Sequence, residues 1–369
     1  MGKQPRRVRA RRNDGAGLVV AVTGAANGVG RLLTSALATD DHVSQVVAVD
    51  DARGDVDGVT WRVIDLTDPA LVSRLTGVDV VVHTAVSIDI SADPAARAHR
   101  NVRGVQTVLT ASAAAGVRRV IVVTSAMVYG ALPDHPIPLD EDAPLRAEPD
   151  GSVLSDLLEI ESLCARAPRS HPGTSVTVVR PAAVVGAGVD TVLTRHFEAP
   201  RLLVVKGTEP AWQFCHVDDL AAALQFVVTH DDVGGPLTVG SDGYLGQGEV
   251  EQLSGKGRID LPASFVFGTA QRLHRLGVTP AAASELQYVT HPWVVSAKRL
   301  RAAGWRPAYD NAAVLRALMD EISGRHALAS RRIGRRETAT AATIGAAGAT
   351  VAILGTAVVV RKARRRKRG

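Results

Sequence analysis

The chain has 369 residues, 46% of them hydrophobic, enough for one large α/β domain with additions around a continuous core. Its two cysteines, Cys164 and Cys215, exclude a disulfide framework and suit a reducing cytoplasm. The formal charge of +6 is unevenly placed: residues 1–12 and 331–369 hold 17 of the 43 Lys/Arg and one of the 37 acids, which leaves residues 13–330 at a formal −10. A face that tracks phosphates needs bases on the folded body, so no nucleic-acid partner is expected.

Residues 1–16 form a basic run that reads as a solvated, disordered arm. The apolar run Leu18–Val22 behind it is too short for a signal peptide. Leu18–Thr23 instead has the composition of a buried parallel strand. It runs into TGAANGVG (Thr23–Gly30) and then the helical stretch Arg31–Ala38. Strand, glycine turn and helix in that order suit a pyrophosphate. Gly24 permits the tight turn, Gly28 admits close backbone approach, and Gly30, next to Val29, lets helix and strand pack together. A second strand, Val46–Val49, ends in Asp50, whose carboxylate can accept from ribose hydroxyls and would repel a 2′-phosphate. NAD is favoured over NADP on that ground, although Arg53 nearby blurs the preference. A third strand, Thr60–Ile64, ends in Asp65-Leu66, and a fourth, Asp79–His83, runs into Thr84-Ala85.

A helix is expected from Asn101 to Ala115, stopped at Gly116, then a strand Arg119–Thr124 leading into Ser125 and Val128-Tyr129-Gly130. Downstream come Arg180-Pro181 with Gly186, His216-Val217-Asp218-Asp219-Leu220, and Ala297-Lys298-Arg299-Leu300 before Gly304-Trp305-Arg306-Pro307. On these motifs, across residues 17–325, the chain resembles the extended short-chain dehydrogenase/reductases of the NAD-dependent epimerase/dehydratase family, most nearly the UDP-glucose 4-epimerase-like members. The resemblance implies NAD as cofactor, a nucleotide sugar as substrate, transient hydride transfer and a possible homodimer. It implies cofactor contacts from Thr23, Gly24, Asn27, Gly28, Val29, Gly30, Asp50, Asp65, Leu66, Thr84, Ala85, Asn101 and Pro181. In the extended group a glycine usually stands at the place of Asn27. Asparagine tolerates a left-handed backbone better than most residues, so Asn27 is compatible with binding.

The family's proton chemistry is another matter. Ser125 matches the hydroxyl that holds the reacting oxygen. The family's Tyr-x-x-x-Lys pair should follow on the next helix, but no lysine lies between Lys3 and Lys206 and no tyrosine between Tyr129 and Tyr244. Anchored on Glu161 in the expected helix Gly151–Leu163, the two positions fall on Val153 and Leu157, neither of which can move a proton. Substitutes would have to come from Asp156, Glu159 or Glu161 on that helix, or from Asp134 and His135 before it. Ser125 and Tyr129 also admit a plainer reading, as a strand-end hydroxyl and a packed aromatic. An enzyme with altered chemistry and a catalytically silent NAD-binding scaffold or sensor therefore both stand.

After Arg180 the strand and helix runs shorten, as for a substrate lobe over residues 181–325 that returns elements to the main sheet. There His216 and Asp218 are organising residues rather than metal ligands, Arg195 and Lys206 could meet a diphosphate, Leu261–Leu276 and His291–Asp310 complete the lobe, and Ala312–Ile322 is a final amphipathic helix. No metal site is expected. Residues 326–337 are a basic linker, residues 338–360 are 23 residues without a charge, and residues 361–369 are a basic tail. That length suits a transmembrane or interfacial helix, so residues 338–368 are expected to associate a cytoplasmic body with a membrane, in a topology that the flanking charges leave open. The expected architecture is a Rossmann-like doubly wound parallel sheet (17–180), a small C-terminal substrate lobe and a C-terminal hydrophobic helix.

Overall fold

The computed structural model describes residues 17–88, 93–275, 283–323, 326–328 and 331–333. The order begins β1 (Leu18–Thr23), α1 (Gly28–Leu37), β2 (Val43–Asp50), β3 (Thr60–Val63), α2 (Leu71–Arg74), β4 (Val80–His83) and α3 (Pro94–Ala98). A π-helical turn, His99–Arg103, joins α3 to α4 (Gly104–Ala115), which Gly116 ends in the left-handed conformation, φ 80°, as its sequence predicts. Then come β5 (Arg119–Val123), a 3₁₀ turn (Ala126–Tyr129), α5 (Val153–Ser170) and β6 (Ser175–Pro181).

The second half supplies β7 (Ala183–Val185), α6 (Val192–Glu198), β8 (Leu202–Val205), β9 (Ala211–Trp212), β10 (Phe214–His216), α7 (Val217–Thr229) and β11 (Pro236–Val239). It continues with β12 (Leu245–Gly246), α8 (Gln247–Ser254), β13 (Arg258–Leu261), α9 (Ala263–Arg275), a 3₁₀ turn (Ala283–Val289), α10 (Lys298–Ala302) and α11 (Asn311–Glu321). A short antiparallel pair, β14 (His326–Leu328) and β15 (Arg331–Ile333), follows.

Seven strands form one parallel sheet in the order β11-β6-β5-β4-β1-β2-β3. Period-two alternation sends Val20, Val22, Val82 and Ile121 into the core on one face, and Ala21, Val81, Val120 and Val122 into the core on the other. Burial on both faces explains why these strands read as unbroken apolar runs; each fully buried side chain contributes about 1.5–3 kcal/mol. The order in which strands are added reverses between β1 and β4, so the turns after those parallel strands meet at the switch point where such sheets bind ligands. The smaller pairs β7/β10, β8/β13 and β9/β12 build the second lobe beyond the carboxyl ends of the sheet strands.

Three elements differ from the sequence reading. Asn101 sits inside a π turn rather than at the start of a regular helix. Strand β2 starts at Val43 because its first residues pair with Leu18 and Val19. Helix α5 runs on to Ser170, past the expected end at Leu163, because its buried stripe (Leu157, Ile160, Cys164, Ala167) keeps helical spacing to the last turn. Ser152 caps it by accepting from Leu154 N at 3.1 Å. The expected hydrophobic helix at 338–360, the tail 361–369 and the arm 1–16 lie outside the described residues, and of the basic linker 326–337 only β14 and β15 are described.

Candidate functional site

At the end of β1 the backbone turns through Gly24 at φ 84°. A Cβ on Gly24 would meet Ala85 N at 2.8 Å, and one on Gly30 would lie 1.9 Å from Gly24 O and 2.5 Å from Thr84 Oγ1. These two glycines let the first turn of α1 press against the ends of β1 and β4. Gly28 differs: it has φ 53° and nothing within 4 Å of its Cβ position, so it faces open space. The left-handed residues of the turn are thus Gly24 and Gly28, whereas Asn27 is extended at φ −139°, ψ 166° and gives no side-chain cap to α1. The tolerance ascribed to Asn27 is not needed, because this spacing moves the positive φ one residue on. With no cap and no acid in its first turn, α1 presents bare N–H groups at the switch point.

Around this turn the strand ends close in. Asp50 Oδ2 accepts from Ala26 N at 2.8 Å and Oδ1 from Asp51 N at 2.8 Å. Burial raises the Asp50 carboxyl above its usual range, against the lowering effect of those bonds. Thr84 Oγ1 donates to Thr23 O at 3.0 Å, and Thr23 Oγ1 pairs with His83 Nδ1 at 2.8 Å beneath the turn. Desolvation lowers His83 to about 4, which keeps the ring neutral. Asp65 is exposed and closes an Asx turn on Thr67, with Leu66 half-buried beside it. Arg53 is exposed, and Arg31 on α1 pairs with Asp55 instead.

A cleft of about 250 Å³ opens beside Val29 and Thr84 and is walled by Val86, Ser87 and Ile88 after β4, Thr124 after β5, and Pro181 after β6. The second lobe closes it with Val184, Asp190, Val217 and Leu220. Of the expected cofactor residues, the glycine turn, Val29, Thr84, Ala85, Asp50 and Pro181 therefore converge at the switch point. Thr124, Ser87 and Asp190 were not anticipated. Thr124 and Ser87 could have been found from their places just past the ends of β5 and β4; Asp190 carries no such signal.

The two positions where the resemblance leads one to expect a proton-transfer pair are filled by hydrocarbon. Val153 and Leu157, 3% and 0% exposed, pack with Val128 into a cluster against which Val86, Ile88 and Leu158 lie. Val86 and Ile88 also wall the cleft, so this cluster backs that wall from behind. Ser125 is buried, and its Oγ accepts from Met127 N at 3.2 Å, capping the 3₁₀ turn. Tyr129 is fully buried and its hydroxyl donates to Glu141 O at 2.9 Å.

Each candidate substitute base is engaged elsewhere or shut away. Glu161 makes a forked pair with Arg180, Nε to Oε1 at 2.9 Å and Nη2 to Oε2 at 2.7 Å, and Oε1 also accepts from Thr124 Oγ1 at 2.8 Å. Arg180 Nη1 donates to Tyr129 OH at 2.8 Å, and the pairing with Glu161 raises the guanidinium further despite its burial. Asp156 is buried against Arg97 at 2.8 Å, Glu159 is exposed and pairs with Arg166 at 3.2 Å, and Asp134 pairs with Arg146 at 2.9 Å. His135 is buried, and desolvation lowers its pKa.

In the second lobe Arg195, which could meet a diphosphate on the sequence alone, is buried in a fork with Asp190, Nε to Oδ1 and Nη2 to Oδ2 both at 2.8 Å. Lys206 is exposed at the end of β8. His216 caps α7 and stacks on Tyr309 at 4.1 Å, Asp219 fastens the lobe by accepting from Ala308 N and Tyr309 N, and Asp218 accepts from Tyr309 OH at 3.4 Å. Among the described residues no cluster of His, Cys, Asp and Glu could hold a metal ion.

The glycine turn and acidic β2 end occur in a stretch, residues 20–253, that matches the NAD dependent epimerase/dehydratase family. The chain belongs to that family. Uncharacterized proteins of Mycobacterium tuberculosis and Mycobacterium bovis are each 28% identical over 303 residues, covering 79% of this chain and 80% of theirs. Among solved structures, MoeE5 in complex with UDP-glucuronic acid and NAD is 24% identical with a TM-score of 0.62, covering 83% of this chain and 98% of that one. The UDP-glucose 4-epimerase of Thermus thermophilus in complex with NAD is 20% identical with a TM-score of 0.62, covering 83% of this chain and 99% of that one. These likenesses establish the Rossmann-like fold of this family member.

Proposed function

We propose that this chain binds NAD at the switch point and serves as a dinucleotide-dependent scaffold or sensor, without the acid–base step that the family resemblance implies. NAD fits the residues present. Gly28 offers a cradle that any side chain would fill, the bare N–H groups of α1 suit a pyrophosphate, and Asp50 keeps lone pairs for ribose hydroxyls. The same carboxylate disfavours the 2′-phosphate of NADP. Bound NAD would supply a hydride acceptor; the protein's part is to seat it against Val29, Thr84 and Pro181 and to exclude water with the aliphatic wall.

The observation that carries the silent reading is the cluster of Val153, Leu157 and Val128 where proton-moving groups are expected. A positioned acid or base contributes about two to four powers of ten in rate, and none of the nearby carboxylates is spare to replace it. The test is interconversion of UDP-glucose and UDP-galactose by the NAD-loaded chain. Turnover at ordinary enzymatic rates, about 1–1000 per second, would refute the silent reading. A second reading, a nucleotide-sugar enzyme with altered chemistry, is favoured by Ser125. Its Oγ is used as an acceptor by Met127 N, which leaves the hydroxyl proton available for a substrate oxygen.

We also propose that the uncharged stretch 338–360, between basic flanks, brings a cytoplasmic body to membranes. No helix among the described residues is long and apolar enough to cross a membrane, so such contact rests on that stretch alone. Removing residues 334–369 should then release the protein from sedimented anionic vesicles; retention by the vesicles would contradict it.

A further inference from the structure

A buried polar cluster stands behind the cleft and reaches it through Ser87. Asn101 binds both backbone groups of Ser87: its Oδ1 accepts from Ser87 N at 2.9 Å and its Nδ2 donates to Ser87 O at 2.9 Å. Nδ2 also donates to Asp156 Oδ2 at 3.0 Å, and the same oxygen accepts from Arg97 Nε at 2.8 Å. Asn101, Arg97 and Asp156 are 1%, 3% and 4% exposed. Three elements thus meet at one carboxylate oxygen: α3, the π turn and α5.

The cluster acts on a wall of the cleft. Val86, Ser87 and Ile88 all line it, and Val86 and Ile88 rest on the aliphatic cluster of Val153, Leu157 and Val128. The wall is therefore held by apolar packing at its two valine and isoleucine side chains and by Asn101 at the backbone between them. The π turn serves this arrangement, since its extra residue per turn sets the direction in which Asn101 leaves the helix, and such insertions recur at functional sites. The arrangement is also costly. Arg97 is desolvated and its Nη2 has no hydrogen-bond partner, whereas an aliphatic pair could fill the same volume without an orphaned donor.

We propose that Asn101, oriented by the buried Arg97–Asp156 pair, is the positioning residue that fixes the 86–88 wall for the nicotinamide end of the dinucleotide, the end where α5 offers no side chain to hold the ligand. This rests on the NAD reading above. The glycine turn and Asp50 lie at the other end of the site, so loss of Asn101 should spare ligands that bind only there. Ser125 and the aliphatic cluster remain in place; only the wall is released.

The test uses the full-length protein with Asn101→Leu and, separately, the paired change Arg97→Met with Asp156→Leu, which removes both charges together and so avoids stranding either one. Two readouts are taken. Hydrogen exchange of the Ser87 amide without ligand should quicken at least tenfold in both variants while amides of β1 and β5 hold their rates. Calorimetry should show NAD binding weakened about tenfold, with AMP binding changed less than twofold. Unchanged Ser87 exchange would overturn the clamp itself. Quickened exchange with NAD and AMP weakened equally would overturn its assignment to the nicotinamide end. If the wild type binds AMP but not NAD, the NAD reading fails, and the assignment falls with it, while the exchange data still decide the clamp.

Discussion

Replacing Leu157 by lysine asks the structure whether the proton-transfer position is a plug or an opening. Leu157 is 0% exposed among Val128, Val153, Ile88 and Leu158. Losing its burial costs about 2 kcal/mol. The new ammonium would find Asp156 Oδ2 already taken by Arg97 and Asn101. An amine buried without a partner has its pKa depressed by several units, and a depression of about three units corresponds to about 4 kcal/mol. Because the folded pKa lies below the unfolded one, the unfolded chain holds the extra proton between the two values, and stability rises with pH across that window. The variant should lose about 4–6 kcal/mol near neutral pH and recover part of it between roughly pH 7 and 10. Urea unfolding at a series of pH values reads this directly. A Leu157→Lys variant as stable as wild type at neutral pH, with no such recovery, would mean that position 157 opens on solvent or on the cleft. The reasoning that the site is closed to proton transfer would then fail.

Other outcomes follow from the same geometry. Gly28→Ala meets no atom within 4 Å but holds φ 53°, so it should cost only about 1–2 kcal/mol while weakening NAD binding at least tenfold in a calorimetric titration. Gly30→Ala would place its Cβ 1.9 Å from Gly24 O and should destabilise the fold itself by about 3 kcal/mol or more, read as a lowered urea midpoint. Arg180→Met strands Glu161 and should cost about 3–5 kcal/mol, whereas Arg180→Met with Glu161→Leu should recover most of it; a double variant no more stable than the single would contradict the pairing. His83, lowered from 6.5 to about 4 by burial, stays neutral in the fold while the unfolded chain takes up a proton below pH 6.5. Its contribution is complete above pH 6.5 and is lost as pH falls toward 4, so His83→Asn should flatten the decline of stability with acid in that window.

The first half of the fold and the cofactor end of the site were legible because they are written locally. An apolar run ending in TGAANGVG, and acids or hydroxyls just past successive strands, declare a parallel sheet and its carboxyl edge without long-range information. That residues 153 and 157 share one buried face of the helix was also readable, since helical spacing puts them one turn apart. What escaped the sequence lies in pairings between distant residues. Arg97 meets Asp156 across 59 positions and Arg180 meets Glu161 across 19, so the carboxylates of α5 looked available until their partners were seen. Arg195 looked free for a different reason: its fork with nearby Asp190 is made by side-chain direction, which spacing alone does not report. The positive φ values of the turn fall on Gly24 and Gly28, the glycines that the sequence assigned to the tight turn and the close approach.

The central claim, a working dinucleotide site on a body without proton-transfer groups, is tested most directly by titrating the full-length protein with NAD and with NADP in a calorimeter. Saturable NAD binding, weaker NADP binding, and loss of the NAD signal in Asp50→Ala are the predicted results. No heat with either dinucleotide would contradict the account, leaving a family fold whose switch point no longer binds its cofactor.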